Sequence, residues 1–163
     1  MLYAIEIPDL HGLTLGDTEF ASAQVAWEAL PGALQEKIEG RYAMFDFAGR
    51  KRAYPPTREQ IERNPPVRHP LVRRHPFTGR KCLYVMRDDC TGIVGMDAEE
   101  AEGLIAALAD HIIRPAFIYR HRWRPGDVLM WDNCTVQHRA IQDYDMPQRR
   151  LMHRTTMGGS VPM

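Results

Sequence analysis

The stretch Trp123-Arg124-Pro125-Gly126-Asp127-Val128-Leu129-Met130-Trp131-Asp132-Asn133-Cys134-Thr135-Val136-Gln137-His138 decides the fold. Pro125-Gly126-Asp127 is turn chemistry, and Val128 to Trp131 is a short run suited to a strand. Thr135 to Ile141 reads as another strand. Upstream, Phe117, Tyr119, His121 and Trp123 alternate with Ile118, Arg120 and Arg122, and downstream Arg149 to Thr156 forms the last strand. Short alternating runs broken by turn signals roughly every ten residues indicate an antiparallel sandwich or barrel.

Towards the N-terminus the same grammar holds at Leu2 to Ile7, a strand closed by Pro8 and followed by a turn-rich stretch from His11 to Thr18. Helical patterns run from Ala21 to Leu30 and from Ala33 to Gly40, separated by Pro31-Gly32. Residues 41–66 carry Arg50-Lys51-Arg52, Pro55-Pro56 and Pro65-Pro66, and read as a loop-rich insert with one helical turn near Arg58 to Glu62. Strands follow at Val67 to Arg74 and Lys81 to Met86, around the turn Pro76-Phe77-Thr78-Gly79. The best helix begins after Asp97, an N-cap with Glu100 three residues on. Ala101, Leu104, Ile105, Leu108 and Ile112 give it one apolar face, and Arg114-Pro115 ends it.

At 163 residues, 44% hydrophobic and 26% charged, the chain is sized and composed as one soluble globular domain. Lys+Arg and Asp+Glu balance at 21 each, which argues neither for nucleic acid nor for an anionic membrane. No apolar run approaches the roughly 20 residues of a membrane span, and the N-terminus lacks the pattern of a secretory signal. Three cysteines without CxxC spacing indicate neither a zinc cluster nor a disulfide framework, and a cytoplasmic setting is expected.

Seven histidines invite a metal hypothesis, yet no His-Glu-x-x-His or His-x-[Asp/Glu] occurs. His11 sits in a turn, His69 and His75 flank prolines, and His111 ends a helix where a cation suits the dipole. His138 differs because it follows Trp131-Asp132-Asn133 and precedes the closing strand. On that strand Arg150, Met152, Arg154 and Thr156 share one face. Guanidinium groups inside a barrel need an anion, because an unpaired buried charge is costly. Bidentate pairing with a carboxylate is one solution; a solvated face that needs no partner is the other, and spacing alone leaves both open.

The run ending at His138 resembles the distal-histidine segment of the taurine dioxygenase family, which includes the 2,4-dichlorophenoxyacetate dioxygenases. Gly16-Asp17-Thr18, the helix at Ala26 to Pro31, the segment His69 to Lys81 and the block Asp143 to Thr156 are similar to further family segments, in order. The resemblance implies a mainly β fold with helical inserts, a double-stranded β-helix (jelly roll). It implies an Fe(II)/2-oxoglutarate-dependent dioxygenase that uses O2, releases succinate and CO2, and hydroxylates a small anionic substrate, a sulfonate or carboxylate. By match, His138 is a metal ligand on a two-His, one-carboxylate triad. Thr18 and Arg150 bind the far carboxylate of 2-oxoglutarate, and Arg154 meets the substrate's anionic group.

The family's other two ligands come from a His-x-Asp motif upstream of the strand that Leu2 to Ile7 resembles, and this sequence has no such motif. The expectation is therefore residues 1–163 as a partial, N-terminally incomplete jelly roll, lacking an opening part of ~100 residues and deficient in turnover as an isolated chain. Missing strands would leave edges that pair in a homo-oligomer. The alternative is a noncatalytic remnant or assembly module that binds an anion through Arg150 and Arg154. A nucleic-acid surface made of Arg68, Arg73, Arg74, Arg80 and Lys81 is the least supported reading, since no recognition motif accompanies it.

Overall fold

Short antiparallel strands dominate the computed structural model, which describes residues 1–49, 54–159 and 161–162. In chain order, β1 (Leu2–Glu6), β2 (Asp9–Leu10), β3 (Leu13–Thr14) and β4 (Thr18–Ser22) lead into α1 (Ala23–Glu28) and α2 (Gly32–Ile38). There follow β5 (Tyr42–Phe45), α3 (Arg58–Arg63), β6 (Val67–Pro70), β7 (Val72–Arg74), β8 (Lys81–Leu83) and β9 (Cys90–Ile93). The long helix α4 (Ala98–Ile112) and a single 3-10 turn (Pro115–Phe117) precede β10 (Ile118–His121), β11 (Val128–Leu129), β12 (Val136–Ala140) and β13 (Leu151–Arg154).

Two three-stranded sheets, β11-β1-β13 and β10-β4-β12, join the ends of the chain. Each is antiparallel, and each places an N-terminal strand between two C-terminal ones. The hairpin β2–β3 turns on His11 (φ 54°) and Gly12 (φ 83°). Positive φ at both central residues is the geometry whose twist matches paired strands.

The main core lies in the inserted α/β layer. Trp27, Leu30, Ile38, Phe45, Leu71, Leu83, Val85 and Ile93 pack with Leu104, Ile105, Leu108 and Ile112 of α4. The helix starts where its cap predicts, with the Asp97 carboxylate accepting from the backbone N–H of Glu99 and Glu100. No helix among the described residues is long and apolar enough to cross a membrane.

Local propensity misjudged three places. The helix expected from Ala21 begins at Ala23, because Thr18–Ser22 is a strand and Ser22 turns its hydroxyl to Val25 N–H as the cap. The segment 41–66 is not all loop: Tyr42–Phe45 is the central strand of β6-β5-β9, while the expected helical turn appears as α3 behind a Thr57–Gln60 capping box. Its Arg50-Lys51-Arg52 run lies outside the described residues. The single strand read from Val67 to Arg74 is two strands in different sheets, parted at the fully buried Leu71, whose N–H bonds Arg41 and whose carbonyl accepts from Tyr84.

His111 lies in the last turn of α4, where the sequence places it, and faces the protein interior. Its ring is buried, and Nε2 is bonded to the Ala26 carbonyl at 2.8 Å.

Candidate functional site

Register on the sheet β10-β4-β12 assembles the site. Phe20 of β4 lies opposite both Tyr119 and His138, so these three side chains form a row on one face. Thr18 and Ser22, two residues to either side of Phe20, share that face. Thr18 is thus diagonal to His138, and such neighbours lie about 7–8 Å apart.

Thr18 is 2% exposed. Its Oγ1 accepts from Trp123 Nε1 at 2.9 Å and from Arg150 Nη2 at 3.2 Å. A hydroxyl has two acceptor sites and one hydrogen. With both acceptor sites taken by N–H groups, the Thr18 hydrogen is left to donate. The arginine beside it is positioned as firmly: Arg150 Nε donates to the Gly16 carbonyl at 3.1 Å and its guanidinium lies 5.9 Å from the Trp123 ring centroid.

Gly16 makes room for this arrangement. It sits at φ +73°, and a Cβ there would fall 3.0 Å from Arg150 Cδ and 3.1 Å from Tyr144 Cε1. The neighbouring carboxylates are engaged elsewhere. Asp17 pairs with Arg120 at 2.7 Å, and Asp143 accepts the Gly16 N–H at 2.7 Å. Among the described residues Arg150 has no acidic partner, and burial lowers its pKa, with Tyr144 acting in the opposite direction. A half-buried guanidinium with no acidic partner among the described residues and a hydroxyl with a hydrogen left to donate thus lie side by side, the donor chemistry that an anion can accept from.

His138 remains solvent-accessible, but Phe20 stacks on its ring at 5.9 Å and Trp131 lies 4.8 Å away. Partial burial of the ring, then the N-terminal ammonium, then Arg154 push its pKa below the ordinary value, favouring the neutral imidazole that binds metal. Arg154 pairs across the sheet with Leu2 as Met152 does with the fully buried Ala4, so the two share a face as the alternation requires. Arg154 itself is exposed and makes no ion pair among the described residues.

Thr18 and Arg150 are therefore in direct contact, Thr18 and His138 share a sheet face, and Arg154 lies within electrostatic reach of His138. A cleft of about 540 Å³ adjoins His138 on the side of Tyr84, Met86, Asn133 and Gln137. An apolar recess of about 280 Å³, walled by Phe20, Phe117, Tyr119, Met130 and Trp131, lies along the same sheet face. The part played by Trp123 was missed in the sequence. Its signal was available: a buried indole N–H requires an acceptor, and Thr18 provides it.

His138 is not part of the cluster of side chains that could together hold a metal ion. Among the described residues that cluster is His75, Asp132 and Cys134. The basic segment read as a possible nucleic-acid surface is not one continuous patch. Arg73 is 5% exposed and faces Tyr84 and Cys134, while Lys81 is paired with Glu39. The three cysteines are free thiols.

The model of the family described as taurine catabolism dioxygenase TauD, TfdA family matches residues 1–156. An alpha-ketoglutarate-dependent 2,4-dichlorophenoxyacetate dioxygenase of Cupriavidus pinatubonensis is 38% identical over 159 residues, covering 96% of this chain and 53% of that protein. An alpha-ketoglutarate-dependent sulfate ester dioxygenase of Pseudomonas putida is 34% identical over 164 residues, covering 91% and 52%. The crystal structure of AAD-2 with Mn(II) and N-oxalylglycine superimposes with a TM-score of 0.85 at 32% identity, covering 99% of this chain and 63% of that one. The chain spans about half the length of these curated relatives.

Proposed function

Because the chain belongs to the TauD/TfdA family, whose members are Fe(II)- and 2-oxoglutarate-dependent dioxygenases, we propose that it supplies the 2-oxoglutarate-binding part of such an enzyme, acting on a small sulfonate, sulfate ester or carboxylate. In this reading the two long sheets are part of a double-stranded β-helix that is N-terminally incomplete, and the protein is cytoplasmic. The Thr18–Arg150 pair supports it most directly, because Arg150 has no acidic partner among the described residues, while the nearby Asp17 pairs with Arg120 and Asp143 accepts the Gly16 N–H.

For 2-oxoglutarate the residues fit. Arg150 and the Thr18 hydroxyl hold the far carboxylate, and Trp123 keeps that hydroxyl pointed at it. Arg154, on the other sheet and near His138, meets the anionic group of the substrate. The iron is a different case. A facial triad takes two imidazoles and a carboxylate, and among the described residues His138 has neither companion beside it. His138 can hold one coordination position; these residues alone do not make the metal site.

That incompleteness favours a second reading for the isolated chain, a noncatalytic module that binds the diacid or pairs with another chain. Tyr119 (60% exposed), Val128 (62%) and Met130 (69%) on or beside strands β10 and β11 are the apolar surfaces a homo-oligomer would cover.

Calorimetric titration of 2-oxoglutarate, with and without Mn(II), separates the readings. The dioxygenase reading expects binding strengthened by metal and weakened at least tenfold in Arg150→Ala. Binding indifferent to metal supports the module, and an unchanged affinity in Arg150→Ala removes Arg150 from its role. Light scattering that shows a well-behaved monomer would remove the oligomer.

A further inference from the structure

We infer that His75 and Asp132, with Arg73 behind them, form a positioning clamp for the loop that presents His138. The importance of that loop rests on the reading of His138 as a metal ligand; the clamp itself rests on geometry.

Arg73 and His75 are two residues apart at the end of β7, and both reach the loop before β12. The Nδ1 of His75 accepts backbone N–H groups from Phe77 at 3.2 Å and Thr78 at 3.0 Å. A nitrogen that accepts carries no proton, so the imidazole hydrogen lies on Nε2. That N–H points at Asp132 Oδ2, 2.7 Å away. The other carboxylate oxygen, Oδ1, accepts the Cys134 N–H at 2.7 Å, and the Asp132 carbonyl accepts from the N–H groups of Thr135 and Val136 at 3.2 Å each. One aspartate thereby organises the whole turn into β12, and His75 ties that turn to a hairpin 57 residues earlier.

Two further contacts act in the same direction. Arg73, 5% exposed, donates from Nη2 to Cys134 Sγ at 3.4 Å, and Gln137 donates to the Val85 carbonyl at 2.6 Å. The strand carrying His138 is therefore held from outside its own sheet. Asparagine cannot replace Asp132 here. Both carboxylate oxygens face N–H donors, and an amide would set its NH2 against one of them.

The same residues resemble a cation site, since ligand atoms of His75, Asp132 and Cys134 lie within 4.8 Å of one another. The tautomer argues otherwise: the Nε2 that would bind a metal carries the proton, and moving it to Nδ1 would direct N–H against N–H of Phe77 and Thr78.

Amide hydrogen exchange on the full chain tests the clamp without requiring metal. In His75→Ala and in the near-isosteric Asp132→Asn, the amides of Val136 to Ala140 are expected to exchange at least tenfold faster while those of β1 and β13 are unchanged. His75→Gln, which retains a donor for Asp132, is expected to recover most of the protection. Mn(II) affinity in the presence of 2-oxoglutarate is expected to fall on the order of 10–100-fold, as for outer-shell partners of metal ligands. Metal-free 2-oxoglutarate affinity should change less than twofold, because Thr18 and Arg150 do not touch the clamp. Unaltered β12 exchange in both variants overturns the proposal. So does stoichiometric Zn(II) binding that shields Cys134 from alkylation and is lost in His75→Ala. The exchange data decide the clamp whether or not the chain alone binds Mn(II), because His138 by itself is one ligand of a three-ligand site.

Discussion

Thr18 and Arg150 lie 132 positions apart in the chain, yet the guanidinium donates to the hydroxyl over 3.2 Å. Neither residue is satisfied by this contact alone. Thr18 retains a hydrogen to give, and Arg150 retains a charge that no acid among the described residues balances. The pair joins β4 to the segment that leads into β13.

Thr18→Val tests how much of the fold depends on that hydroxyl. The substitution preserves shape but leaves the N–H groups of Trp123 and Arg150 without their acceptor, at about 1–3 kcal/mol for a buried unsatisfied group. Urea unfolding should show a loss of about 2 kcal/mol or more. Thr18→Ser should stay within about 1 kcal/mol of wild type, since it keeps the hydroxyl.

Gly16→Ala should be costly in two ways. An alanine at φ +73° pays about 1–2 kcal/mol for left-handed backbone, and its methyl would press on Arg150 Cδ and the Tyr144 ring. Both the denaturation midpoint and 2-oxoglutarate affinity should fall. A variant that loses stability but binds as wild type would show that the clash relaxes without moving the guanidinium.

His69 should make stability depend on pH near neutrality. Burial first, then the Arg73 charge, lower its pKa from 6.5, and its buried Nδ1 has no hydrogen-bond partner among the described residues. The unfolded chain therefore takes up a proton before the folded one as pH falls below 6.5. Stability is lost from there down to the depressed folded value and changes no further below it. Urea midpoints of wild type and His69→Gln between neutral and mildly acidic pH should converge on the acid side; parallel curves would remove His69 as the source.

Asp97→Ala removes the side chain that accepts two N–H groups at the start of α4. Loss of such a cap costs about 0.5–2 kcal/mol. Leu108→Ala, deep in the same helix face, should cost more, about 2–5 kcal/mol, because it opens a cavity at a residue only 1% exposed. Thermal unfolding of both variants checks the order.

Much of the architecture could be read from local pattern because its causes are local. Asp97 and Glu100 mark α4, and period two marks β10, β12 and β13. The helical turn expected near Arg58 to Glu62 is there, behind a Thr57–Gln60 reciprocal box. The errors arose where partners distant in sequence overrode propensity. Tyr42–Phe45 is a strand because β6 and β9 pair on both its edges. Thr18–Ser22 is one because β10 and β12 do the same.

What the sequence by itself determined was which side chains alternate and where helices start; its resemblance to the family implied the roles of Thr18, His138, Arg150 and Arg154. Only the tertiary structure decided that Arg150 is left without an acid among the described residues, that Trp123 turns the Thr18 hydroxyl into a donor, and that His75 braces the loop before His138. Periodicity is set by bonds a few residues long. Charge balance and hydrogen-bond satisfaction are set by whatever the folded chain brings alongside, and here that comes from strands more than a hundred residues apart.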